Sequence, residues 1–184
     1  MRTDLNRTAL SGASRNAAKA FQATKSPEFA HYPEDEKSAW AMAAVIHCDI
    51  CRLVIALDEC EREGGIARLL CMADIASKLY EARNWYNNAG TKILRGICAR
   101  RSFESQKLNE SVETLKREHQ VHRVNKYEKY RNKLGYHYDA QTIKYLEEFG
   151  DEDSDEFFEI LKSFVKFSGD WAKLTKAVIH APGL

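Results

Sequence analysis

The chain has 184 residues, is 44% hydrophobic and 30% charged, and contains only three prolines, a balance that fits one soluble helical domain and excludes disordered and fibrous classes. Lys and Arg number 28 against 27 Asp and Glu, for a net charge of +1, so no overall field selects a partner and any electrostatic preference must come from segregation along the chain. No apolar run approaches the roughly 20 residues of a membrane-spanning helix. The N-terminus lacks a continuous apolar leader, and the expected address is the cytosol with no membrane partner.

Segregation is pronounced. Residues 1 to 27 carry five Lys or Arg against Asp4 alone, residues 116 to 133 carry seven against Glu118 and Glu128, and residues 147 to 159 hold eight acids and no base. Helix faces and dipole matching account for any single run, but positive charge gathered ahead of residue 131 makes a polyanion partner worth considering.

In chain order, residues 1 to 35 are rich in Ala, Ser, Thr, Asn and Arg and close on Pro27 and Pro33. Their apolar residues are too sparse for a core helix, so a mobile or weakly helical basic arm is expected ahead of a helical domain over residues 36 to 184. An Arg-rich, acid-poor transit peptide is the alternative, weakened by Asp4. From Glu36 to about Arg62, Ala39, Ala43, Ile46, Ile50, Leu53, Leu57 and Cys60 recur three and four apart, the stripe of a core helix. Gly64-Gly65 ends it.

The five cysteines, Cys48, Cys51, Cys60, Cys71 and Cys98, fall inside helical patterns, as reduced thiols of a cytosolic protein would. Cys48-x-x-Cys51 beside His47 lacks the second ligand pair of a structural zinc site and reads as core. No metal or other cofactor is expected.

A second helix is expected from Ile66 to about Asn87 on Leu69, Leu70, Ala73, Ala76, Leu79 and Tyr80. Asn87-Asn88-Ala89-Gly90 marks a kink or stop before the pattern resumes to about Arg101. Residues 105 to 138 read as a long segment with Leu108, Val112, Leu115, His119, His122, Tyr130 and Leu134 on one stripe of period 3.6. The HxxH spacing of His119 and His122 is read as partly buried or interfacial histidines rather than metal ligands. A short helix over residues 139 to 149 follows, with Ile143, Tyr145, Leu146 and Phe149 as its apolar members. Asp153 with Glu156 resembles a capping box opening the last helix, whose broad aromatic face includes Phe157, Phe158, Leu161, Phe164, Val165, Trp171, Leu174 and Val178. Strand signals are absent, and an all-α bundle of five or six helices is expected.

The stretch Arg131-Asn132-Lys133-Leu134-Gly135-Tyr136-His137 puts a guanidinium, an amide and an imidazole within two turns, a phosphate-handling set of groups. Arg83-Asn84 repeats its Arg-Asn pair, but no histidine follows at a comparable distance, and the repeat is taken as coincidence of composition. Six helical positions are about 240° apart, so Arg131 and His137 cannot share a face of one straight helix. Either the chain turns near Gly135 or two subunits supply complementary residues. Tyr127, Tyr130, Tyr136 and Tyr138 interleave with Lys126, Lys129 and Lys133, a pattern suited to stacking unpaired bases while lysines track the backbone. For each tyrosine taken separately, packing is the alternative.

Arg131, five intervening residues and His137, with Asn132 after the Arg, near the end of a long helix in an all-α domain, resemble the signature of the HEPN superfamily. The stretch through Tyr138 and Asp139 is similar to the members found in abortive-infection and toxin-antitoxin systems. The resemblance implies a homodimer with two motifs in one cleft, acting as a metal-independent endoribonuclease on single-stranded RNA, with a cognate antitoxin or defence-system partner. It would make His137 the acid-base group, Arg131 the electrostatic clamp and Asn132 the orienting partner. Two other readings remain: a dimerisation module in which Arg131 is structural, and a regulator that holds RNA without cutting it.

Overall fold

The structure, a computed structural model, describes residues 2–130, 140–150 and 154–182. Among these residues seven α-helices form an all-helical bundle with no strand: α1 (Arg2–Ala23), α2 (Glu34–Glu63), α3 (Gly65–Trp85), α4 (Thr91–Cys98), α5 (Ser105–Glu118), α6 (Ala140–Gly150) and α7 (Ser154–Ile179). The all-α expectation holds, with one or two more helices than the five or six anticipated.

The segment expected as a mobile or weakly helical arm is a 22-residue helix. Its inner face is alanine rather than leucine. Ala13 and Ala20 are buried, Ala17 and Ala23 pack against the core, and α2, on which α1 packs, carries buried Ala43 and Ala44 of its own. Small side chains on both helices let their backbones approach closely, and dispersion replaces the missing bulk. Asn6 Nδ2 donates to Asp58 Oδ2 at 2.7 Å, tying the start of α1 to α2.

Helix α2 is the centre of the bundle, packed by α1, α3, α4 and α7. Most of its expected stripe is buried: Ala39, Ala43, Ile50, Leu53 and Leu57 lie in the core, while Ile46 and Cys60 are half-buried. By length and composition alone, Glu36–Arg62 is apolar enough to cross a membrane, its most apolar 18-residue window having a mean hydropathy of 1.8, a property that run-counting along the sequence missed. The helix ends at Gly64 and Gly65, whose φ angles of 68° and 53° lie in the left-handed region where a Cβ is penalised.

The expected break around residues 87 to 90 is a π turn over Tyr86–Gly90 that carries α3 into α4 without a stop. Thr91 Oγ1 donates to the Tyr86 carbonyl at 2.7 Å, satisfying part of the altered backbone. The turn drives Tyr86 into the core, where its ring lies 5.0 Å from both Phe167 and Trp171 and 6.1 Å from Phe164 of α7. Burying each such ring contributes about 1.5–3 kcal/mol, with more from edge-to-face geometry. Burial without a partner for the Tyr86 hydroxyl pushes its pKa upward.

Two expected apolar stripes hold except for one member each: Ala73, Ala76, Leu79 and Tyr80 of α3 and Leu146 and Phe149 of α6 are buried as expected. Leu70 of α3 is exposed while Met72 and Ile75 are buried, and Ile143 of α6 is 62% exposed while Thr142, Leu146 and Phe149 face the core. The Asp153 capping box lies outside the described residues.

Candidate RNA-binding segment

The described chain approaches the Arg-His motif through a segment that is not the continuation of α5. Helix α5 stops at Glu118, Gln120 takes φ 48°, and a 3₁₀ helix runs over Val121–Tyr127. The reason is in the spacing. Val121, Val124, Tyr127 and Tyr130 recur every third residue and all four are buried, the repeat of a 3.0-residue helix rather than a 3.6-residue one. Tyr130 is 0% exposed, 4.8 Å edge-to-face from Phe149. Tyr127 meets Phe149 and Phe157 at 6.3 and 6.0 Å. The expected base-stacking role of Tyr130 is corrected here: its ring is core, because period three turns that row inward.

The 3₁₀ turn also separates the HxxH pair. His119 caps α5 and donates from Nε2 to Asp170 Oδ2 of α7 at 3.2 Å, while Ser163 Oγ donates to the His119 carbonyl at 2.8 Å. Burial pushes the Asp170 carboxyl up, but the bonds from Lys173 and His119 outweigh it and leave the group below its usual range. His122 is exposed and takes no part in this arrangement. Among the described residues, no group of three or more His, Cys, Asp or Glu converges as metal ligands would.

The outward row of the same segment is cationic. Arg123 and Lys126 stand three apart and both reach Glu156 of α7, at 3.1 Å and 2.5 Å, and Arg123 also lies 3.6 Å from Glu159. Hydrogen bonds from Lys126 and then Arg123 hold the Glu156 carboxyl below its ordinary pKa. Lys126, expected to contact RNA, is thus engaged by the acidic run. Lys129 stands over the Tyr130 ring with Nζ 4.5 Å from its centroid. The signal for the Glu156 clamp was present in the matched basic and acidic runs; what was missing was the turn that brings them together.

Arg131, Asn132, Lys133, Tyr136, His137 and Tyr138 lie outside the described residues, so Lys126, Lys129 and Tyr130 are the site residues that the structure places.

A second titratable group sits apart from this segment. His47 Nδ1 and Ser168 Oγ are 2.8 Å apart, and Ser168 donates its own proton to the Val165 carbonyl at 3.0 Å. Its oxygen therefore accepts from Nδ1–H, leaving Nε2 unprotonated toward Cys51 Sγ at 3.8 Å. Burial, and secondarily Lys173, lowers the His47 pKa against a raising contribution from Asp170. Burial pushes the Cys51 thiol up to about 11, so it remains a thiol at neutral pH and is a poor nucleophile.

No family model, curated protein or solved structure matches this chain.

Proposed function

We propose that the protein is a metal-independent endoribonuclease of the HEPN type, acting as a homodimer on single-stranded RNA in the cytoplasm as a toxin or antiphage defence effector, with a cognate antitoxin or defence-system partner. The observation that carries this reading is the Arg131-Asn132-x4-His137 spacing at the end of a basic, tyrosine-bearing segment in an all-helical chain. His137 takes the 2′-hydroxyl proton or returns one to the leaving 5′-oxygen, chemistry that general acid-base catalysis accelerates typically 10² to 10⁴-fold. The 2′-oxygen bonds to phosphorus as the 5′-oxygen departs, giving a 2′,3′-cyclic phosphate and a 5′-hydroxyl. Arg131 holds the phosphate oxygens as charge builds, and Asn132 orients the group. Lys129 and Lys133 follow the backbone, and Tyr136 and Tyr138 stack bases.

The test is incubation of purified protein with cellular RNA under chelator, beside His137→Ala and Arg131→Ala. Cleavage by wild type and its loss in both variants is the expected result; absent cleavage, or cleavage unchanged in the variants, overturns it. The competing reading is a non-catalytic dimerisation module, favoured by the burial of Tyr130 and the Lys126–Glu156 pair, which withdraw two expected RNA contacts, or a regulator that holds RNA without cutting it. Salt-sensitive RNA retention without cleavage, or a dimer in light scattering with no RNA bound, identifies its two forms.

A further inference from the structure

Between the π turn and the end of α5 lies a pocket of about 320 Å³ whose polar lining is Arg83, Asn87, Glu113, Lys116, Arg117 and His122, with Val121 beside them. Two stretches of chain, residues 83–87 and 113–122, build it from four elements. Arg83 comes from the last turn of α3, Lys116 and Arg117 from the last turn of α5, and His122 from the 3₁₀ helix beyond the left-handed Gln120. Asn87 is delivered by the π turn, directly after the fully buried Tyr86.

The charge balance is lopsided. Arg83, Lys116 and Arg117 are opposed in the lining by Glu113, whose contact with Lys116 is 3.4 Å. Dipole matching at the end of α5 explains Lys116 and Arg117 taken alone, but not a third cation, an amide and an imidazole brought from other elements to the same hollow. Arg83 Nη1 donates to Asn84 Oδ1 at 2.9 Å and its guanidinium carbon lies 5.9 Å from the centroid of the Tyr80 ring, while Nε is buried with no partner. That atom is closed to solvent and so to a ligand in the hollow, and Arg83 contributes there through its charge and its remaining N–H groups. The Arg83-Asn84 pair that lacks a histidine along the chain acquires His122 in space.

We infer that this pocket is a binding site for the phosphoryl group of a nucleotide, held by the Arg83, Lys116 and Arg117 cations with His122 and Asn87 as hydrogen-bond partners. Its volume lies at the lower end of small-ligand sites, and a planar guanidinium fork matches phosphate oxygens. The inference does not rest on the ribonuclease reading. The group belongs either to a free nucleotide or to a strand of RNA.

Calorimetric titration of the full chain with inorganic phosphate, adenosine 5′-monophosphate and a short single-stranded oligouridylate tests it, with circular dichroism as the folding control. Wild type should bind at least one probe, and Arg117→Gln, Lys116→Gln and the double variant Arg83→Gln/His122→Asn should each weaken that binding, the double variant by about tenfold or more. Binding of the mononucleotide identifies the free ligand; binding of the oligonucleotide alone, weakened by the same variants, identifies the strand. Binding of no probe at millimolar concentration, or affinity unchanged in the folded variants, overturns the inference. Should the double variant fail to fold, Arg117→Gln and Lys116→Gln decide. RNA cleavage is not the readout, so failure here leaves the catalytic reading standing.

Discussion

Lys126 and Glu156 stand 30 residues apart in sequence and meet at 2.5 Å between Nζ and Oε2. Through this pair the basic run that precedes the Arg-His motif is docked on the acidic run that follows it. Cations that look available along the chain are already neutralised at one end of their segment.

Replacing Glu156 by Gln should therefore have two separable effects. Because the pair is partly solvated, stability at neutral pH should fall by about 1 kcal/mol or less in urea melts. The Glu156 carboxyl is held below its ordinary value of 4.5 by Lys126 and Arg123; its stabilisation is present above that pH and is lost as pH falls below it. The difference between wild type and E156Q should accordingly vanish in strong acid. If Arg123 and Lys126 can reach RNA, their release should also raise RNA affinity by up to about tenfold at low salt, and unchanged affinity would show that they do not.

Tyr130→Ala should act through the core. A fully buried aromatic edge-to-face with Phe149 is worth about 3–5 kcal/mol on truncation, read as a lower urea midpoint. A drop in RNA affinity with stability intact would contradict this packing role and restore the stacking one.

His47 should make stability pH-dependent. Burial lowers its pKa below 6.5, so the unfolded chain takes up the proton first, and stability should decline as pH falls below about 6.5. His47→Gln should flatten the unfolding profile between pH 6.5 and pH 5. Ser168→Ala, which strands Nδ1–H, should cost about 1–3 kcal/mol near neutrality.

Gly90→Ala should disturb the π turn. A Cβ there would sit 2.9 Å from Cζ3 of Trp85, with two more ring atoms at 3.1 and 3.2 Å. Trp85 itself packs 5.1 Å from Tyr86, so the ring must move against the core at about 1–3 kcal/mol. Thermal melting measures the loss, and if the phosphoryl pocket is as inferred, nucleotide binding should weaken in the same variant through Asn87.

Where the sequence misleads, the reasons are particular. The inner face of α1 is alanine, which carries little hydropathy signal although Ala13 and Ala20 are as buried as any leucine. The period-three row Val121, Val124, Tyr127 and Tyr130 was legible, but a longer 3.6-residue stripe through His119 and His122 competed with it, and only the buried set decides between them. Arg83 and His122 carry no shared spacing at all.

The chain by itself determined the all-helical class, the stripe that makes α2 central, the glycine pair that ends it and the break near Asn87, because each is a local matter of periodicity or backbone freedom. Only the tertiary structure decided that Lys126 faces Glu156, that Tyr130 faces inward and that Arg83 shares a pocket with His122. Charge and aromaticity are legible residue by residue, whereas which side of a helix they occupy, and what stands opposite, depends on turns such as the one at Gln120 that redirect every residue after them.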